Sequence, residues 1–500
     1  MNRREYLATV AAGVAVGASG CATRLGANSA LDGLSATQAT RAIRAGELSA
    51  ERYASVLLAR CEQARTLNVF TSLDPQAVLA ASRLVDLARL RGEVLPPLAG
   101  LPLLVKDSID VAGLQTTGAT PGLRDNRPAK TALALEMLQA AGAVVLAKTN
   151  MGELALSGTS SESIFGPVRN PYDPTKFAGG SSGGTAAGIA LGVAPAGLGT
   201  DVAGSGRIPA AFCGIVGFRP GTHSGKPYPD TGVLPLAKSL STISPMARTV
   251  EDVALLDAAL RGKSFRGLVP LAPAQIRLGI SRRFLWDAAE PEVARVTDAA
   301  LAKLRFAGVG MVELDLGDLL GKAAELQGRM MMAGMQGDLQ PYLDEGDSKL
   351  RAEDVLAQIQ APGIANLFRI ALRMRLPPGT HQAWQAEARA MAQRLEDLLE
   401  RAGVDALAFP CEPVTAQNIK DTADTTPWVV AGQPITPLTL VRNTSVAAGL
   451  GLPAITVPSG RSAQGLPVGL EIDAPRGHDA ELLAIAGAVE SVLGPLTRPI

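Results

Sequence analysis

Residues 179–185 read Gly-Gly-Ser-Ser-Gly-Gly-Thr, and the apolar run AAGIALGVAPAGLGTDVAGSG follows without a break. Glycine–serine repeats usually make flexible tethers. A tether separates two folded segments, whereas here the residues that follow are apolar and helix-forming. The chain holds 53 glycines, many of them between residues 92 and 232, so tight turns and close backbone approaches are expected there. A fold for this chain must therefore bring a small-residue turn up against its own core.

The segments around this turn alternate between helix and strand patterns. Residues 35–65 have helical spacing, with Ser35 and Ser49 as caps, and residues 75–92 repeat the pattern and stop at Gly92. LPLLVK ends in Lys106 and reads as a buried strand emptying into a loop. TALALEMLQAAGAVVLAK is a helix followed by a strand, and so is TAAGIALGVAPAGLGTD. IRLGISRRF, EPEVARVTDAALAKLRFAG and GMVELDL give a further alternation. Residues 318–405 read as mainly helical, with Met330–Met332 and Met335 as core packing or an apolar pocket wall. ALAFP, LPAITVPSG and LPVGLEIDAP return to strands before a final helix. No internal repeat is visible, and residues 22–500 read as one α/β domain.

The N-terminus, MNRREYLATVAAGVAVGASGC, is set apart. Arg3 and Arg4 precede an apolar run too short to span a bilayer, which needs ~20 residues. That is the plan of an export signal over residues 1–21, similar to the twin-arginine type. The ending Ala18-Ser19-Gly20-Cys21 resembles a lipobox with Cys21 as the lipidated residue. The expectation is an exported protein, periplasmic or membrane-anchored through a lipid on Cys21.

Formal charge is zero and aromatics are scarce, which speaks against nucleic-acid partners. The four cysteines have no CxxC spacing and no nearby histidine, so no metal site is expected; Cys213 reads as core. Histidine is confined to His223, His381 and His478, and this scarcity separates the chemical readings of GGSSGGT. A phosphate loop would need the Walker lysine, which is missing. A nucleophile elbow, GxSxG, places Ser182 at its centre and requires a histidine base, for which His478 is the candidate of a Ser–His–Asp esterase. A serine with a lysine base is the remaining reading. The lysine must then be neutral, and burial lowers its ordinary pKa of ~10.4. Lys106 follows LPLLV, and a second serine–glycine site, AGSGR with Ser205, lies 24 residues beyond Ser181.

The run FAGGSSGGTAAGIALGVAPAGLGTDVAGSGRIPAAFCGIVGFRP resembles the signature of the amidase signature family, and the resemblance extends through LAGLPLLVKDSIDVAGLQTTGAT, SGTSSESIFGPVRNPYD, PMARTVEDVALL and RNTSVAAGLGLPAITVPSG. It covers most of residues 32–495, and 318–405 least. It implies a mixed β-sheet flanked by helices on both faces and a Ser–cis-Ser–Lys triad. Ser205 matches the acyl-forming serine, Ser181 the bridging serine after a cis Gly180–Ser181 bond, and Lys106 the lysine; Ser182 becomes a neighbour. Backbone N–H groups of Val202, Ala203 and Gly204 match the oxyanion donors, and Asp201 and Arg207 match framework positions. Two residues depart from the family pattern: Ala203 where glycine is usual, and Gly206 where a larger residue is usual. The first would strain the loop if φ were positive there; the second would widen the pocket or loosen the turn. Trp428 is a candidate pocket residue and His223 a surface one. The implied activity is hydrolysis of a small carboxylic amide to carboxylate plus ammonia or amine without cofactor, with carbamate or aryl-acylamide hydrolysis and the amidotransferase A subunit as alternatives. A homodimer is left open.

Overall fold

The computed structural model describes residues 31–499 apart from 223, 224, 226, 270, 347, 422, 423 and 425. Residues 1–21, read above as an export signal with Cys21, and His223 lie outside the described residues. Thirteen strands are described: β1 (Phe70–Ser72), β2 (Pro102–Lys106), β3 (Val144–Thr149), β4 (Ala196–Asp201), β5 (Val216–Arg219), β6 (Thr242–Ala247), β7 (Arg277–Ile280), β8 (Gly310–Glu313), β9 (Ala406–Pro410), β10 (Trp428–Val430), β11 (Gln433–Ile435), β12 (Ala454–Arg461) and β13 (Pro467–Asp473). Eleven of them form one mixed sheet in the order β1-β3-β2-β4-β6-β5-β12-β13-β9-β7-β8, and β10 pairs with β11 apart from it. β2 runs parallel to β3 and β4, and β7 parallel to β8 and β9. The remaining pairings are antiparallel.

Alternation along β2 shows that both sheet faces are covered. Leu103 and Val105 join one apolar cluster, which includes the helices Leu133–Ala140, Val250–Leu260 and Asp479–Leu493. Leu104 joins the other, which includes Ala50–Ala64 and Gly183–Ala190. A strand buried on both sides carries apolar residues at every position, which is why LPLLV shows no polar alternation. Ser35 and Ser49 do cap the first two described helices, accepting from the N–H groups of Gln38 and Arg52.

The glycine–serine stretch opens the wholly buried helix Gly183–Ala190. At Gly184 a Cβ would lie 2.4 Å from the Asn150 carbonyl oxygen and 2.6 Å from that of Val69. Glycine here allows a helix to touch backbone, and it keeps the turn before the helix pressed on the sheet.

The helical part is a layer made chiefly of Gly317–Gly334, Leu339–Glu345, Pro362–Arg373 and Thr380–Ala402. Met330 and Met335 are buried in an apolar cluster that also contains Val202. The Tyr342 hydroxyl donates to Asp110 at 2.8 Å, and the Glu153 carboxylate accepts from the N–H groups of Gln360 (3.1 Å) and Ala361 (3.0 Å). These polar contacts seat the layer beside the segments that follow β2 and β3.

Candidate active site

β2 ends at Lys106, two residues past Leu104 and so on the same face, the one covered by the glycine-rich helix. The side chain is fully buried. Its Nζ donates to Ser181 Oγ at 2.7 Å and to Thr200 Oγ1 at 2.8 Å. Burial pushes the Lys106 pKa down to about 7, with the charge of Asp201 opposing it only in part.

A second buried lysine makes the contrast. Lys148 lies on β3, beside Val105 in the register. It is equally dry, yet its Nζ sits 3.2 Å from Asp107 and donates to the Ile109 carbonyl (2.7 Å) and Thr116 Oγ1 (2.9 Å). Burial lowers the Lys148 pKa as well, but a carboxylate, Asp107, opposes it at contact distance, while Lys106 has only hydroxyl partners among the described residues. Of the two, Lys106 is the amine suited to exchange a proton.

The Gly180–Ser181 peptide bond is cis. The turn it makes presents Ser181 Oγ to Lys106. Its next residue is tied to the following loop: Ser182 N–H donates to the Ser205 carbonyl at 3.1 Å. Ser181 and Ser182 are buried, whereas Ser205 is partly exposed, as a group that meets a substrate must be.

β4 supplies Thr200 and Asp201 and then releases the loop Val202-Ala203-Gly204-Ser205-Gly206 into the short helix Arg207–Phe212. Asp201 brackets this loop by accepting from Gly204 N–H (3.0 Å) and Gly206 N–H (3.3 Å). Arg207 grips Asp201 through Nε (3.0 Å) and Nη2 (3.1 Å), and Arg219 bonds both its carbonyl (2.8 Å) and its carboxylate (3.2 Å). Arg207 also pairs with Glu471 of β13 and donates to the Thr444 carbonyl at 2.9 Å. Burial alone would raise the Asp201 pKa; the two guanidinium groups outweigh it and hold the carboxyl well below the usual carboxylate range. Asp201 and Arg207 thus form a dry bracket around the loop and do not point at a reacting atom.

Several expectations change. Gly204 N–H, expected among the oxyanion donors, is taken by Asp201, leaving Val202 and Ala203 N–H without an acceptor among the described residues. Ala203 keeps a negative φ and the positive one falls on Gly204 (φ 122°), so alanine is unstrained. Gly206 neither widens a pocket nor loosens the turn. A Cβ there would meet Ser244 Oγ at 1.9 Å, so Ser244, itself donating to the Phe218 carbonyl at 2.7 Å, occupies that space. The Ser182 elbow fails. Ser182 Oγ is buried against the Thr200 backbone, accepting from its N–H at 3.3 Å. His478 stands at the start of the helix Asp479–Leu493 and lines a separate cavity with Glu396 and Arg476, and His381 lies near Ser239 at the surface. Cys213 is core, its thiol directed at the Ala178 carbonyl (3.4 Å). Trp428 packs edge-on against Phe177 at 5.7 Å, beside the glycine turn.

Sequence reasoning missed Thr200, Gln327, Arg219, Thr444 and Glu471. Thr200 carried a signal, a hydroxyl at the end of an apolar strand and next to Asp201. Gln327 and Thr444 carried none, because each reaches the site from a distant helix.

Residues 53–483 match the family Amidase. Mandelamide hydrolase of Pseudomonas putida is 34% identical over 480 residues, covering 92% of each chain, and indoleacetamide hydrolase of Agrobacterium vitis is 32% identical over 470 residues, covering 92% of this chain and 97% of its own. The crystal structure of peptide amidase from Stenotrophomonas maltophilia superposes with a TM-score of 0.79 at 27% identity, covering 93% of this chain and 98% of that one. The fold and site are of the amidohydrolase class, acting on C–N bonds of amides. This chain belongs to the amidase signature family.

Replacing Arg207 by methionine leaves the buried Glu471 without its arginine and Asp201 with Arg219 alone. The expected loss is about 3–5 kcal/mol of folding stability, read by urea unfolding. Lysine at this position cannot reproduce the two-pronged contact and should recover only part of the loss.

Proposed function

We propose that this enzyme hydrolyses small carboxamides of the arylacetamide kind through an acyl-enzyme on Ser205. The observation that carries the reading is the dry Lys106 amine, 2.7 Å from Ser181 Oγ and without a counter-ion, beside a partly exposed serine on a bracketed loop. A neutral amine has one lone pair and two N–H groups. In the neutral form the 2.7 Å contact to Ser181 reverses, the lone pair taking the Ser181 O–H while an N–H stays on Thr200 Oγ1. Ser205 Oγ attacks the amide carbon as its proton passes to Ser181, and the Ser181 proton passes to Lys106. The tetrahedral oxygen takes the Val202 and Ala203 N–H groups. The relay then runs in reverse to protonate the leaving nitrogen, ammonia departs, and water activated by the same relay releases the acid. The arylacetamide class is supported by the two relatives at 34% and 32% identity, named for mandelamide and indoleacetamide.

Ammonia release from phenylacetamide, mandelamide and indole-3-acetamide tests the reading. Ser205→Ala and Lys106→Ala should each lower kcat/KM by at least about a thousandfold. Replacing all three histidines by glutamine should leave it within a few-fold; a collapse there would return the base to histidine.

The pH profile follows from the same amine. Below its pKa of about 7 Lys106 is protonated and cannot accept from Ser181. Thus kcat/KM should rise tenfold per pH unit on the acid side and level off above about 7. A rate that falls as pH rises through this range contradicts a neutral lysine base.

We further infer export with a lipid on Cys21, supported by Arg3-Arg4 ahead of the short apolar run and by the Ala18-Ser19-Gly20-Cys21 ending. Radiolabelled palmitate should enter the wild type and not Cys21→Ala; an unlabelled wild type refutes the anchor.

A further inference from the structure

The loop before Ser205 is held by its carbonyls as well as by Asp201. A trans peptide unit is planar, with its C=O and N–H pointing in opposite directions. Fixing one end of the unit therefore aims the other. Two successive units matter here, and they are held differently. In the unit that joins Ala203 to Gly204, the carbonyl accepts from Thr444 Oγ1 at 2.6 Å and the N–H donates to Asp201 at 3.0 Å. Both ends are occupied within the protein. In the unit that joins Val202 to Ala203, the carbonyl accepts from Gln327 Nε2 at 3.2 Å, and the N–H has no acceptor among the described residues.

We propose that Gln327 is a positioning residue for the reaction: it holds the Val202 carbonyl so that the Ala203 N–H is aimed at the oxygen of the tetrahedral intermediate. This rests on the reading of Ser205 as nucleophile.

The side chain is suited to the task. It is buried, on the helix Gly317–Gly334. A carbonyl can only accept, so the contact fixes which end of the Gln327 amide faces it. The stem cannot drift: the helix Ser445–Leu450 passes so closely that a Cβ on Gly449 would lie 2.9 Å from Gln327 Cβ. That helix is preceded by Thr444, which holds the neighbouring unit. Two helices packed on one another thus fix two adjacent peptide planes, one closed on the protein and one left with a free donor. An oxyanion donor helps in proportion to how well it is aimed before the charge forms.

The test compares wild type with Gln327→Met, which keeps length without a donor, and Gln327→Glu, which keeps shape and places an acceptor against the carbonyl. Steady-state hydrolysis of phenylacetamide gives kcat and KM separately. Inhibition by benzyl trifluoromethyl ketone, which adds to a nucleophilic serine to give a tetrahedral oxyanion, reports on the donor directly. The expected result for both variants is a ten- to hundredfold drop in kcat, KM within about twofold, and a matching weakening of inhibition by the ketone. Circular dichroism shows whether each variant folds, and Gln327→Glu serves if methionine prevents folding. Folded variants whose kcat and inhibition stay within twofold of wild type overturn the assignment, and so does a loss confined to KM. A wild type that turns over no amide and is not inhibited by the ketone removes the reading of Ser205, and this assignment with it.

Discussion

One amine governs this structure. Lys106 is sealed from water between two hydroxyls, with no carboxylate to pair with among the described residues. A charged ammonium in such a place is strongly disfavoured, so the site favours the neutral base. Everything around it serves that condition. β2 is covered on both faces, the helix Gly183–Ala190 closes over its end, and Gly184 lets that helix lie against backbone. Lys148 shows the alternative on the adjacent strand, where a carboxylate keeps a buried lysine structural.

The charges omitted around Lys106 are concentrated one layer away. Asp201 is tied by Arg207 and Arg219, and Arg207 is shared with Glu471. Burial of such a set is not in itself stabilising, since desolvation offsets attraction. Its value here is geometric. The carboxylate of Asp201 collects two N–H groups of the loop, and its arginines reach β13 and the start of the helix Ser445–Leu450, so a five-residue turn takes its shape from distant parts of the sheet.

Much of this was legible in the sequence. The lysine after LPLLV, the two serine–glycine sites and the succession of helices and strands all follow from local pattern, and the family signature adds the order of the triad. What was not legible came from tertiary packing. β6 contains Pro245, which by local rules argues against an interior strand, yet it pairs opposite Leu198 between β4 and β5. The bond from Gly204 N–H to Asp201 has the same origin: three consecutive N–H groups look alike in a sequence, and only the fold shows which one a neighbouring carboxylate claims. Gly206 looked like missing volume because its complement, Ser244, lies on another strand. Gln327 left no mark in its helix because its role is defined by a carbonyl 125 residues away.

The described thiols carry a consequence for the surroundings in which such an enzyme can work. Cys61, Cys213 and Cys411 are all buried and unpaired. Burial raises the Cys61 pKa to about 12 and drives the other two upward as well. Oxidants and alkylating reagents attack the thiolate, and here almost none forms. The proposed chemistry uses hydroxyls and an amine, so neither reducing nor oxidising surroundings would change a group it needs.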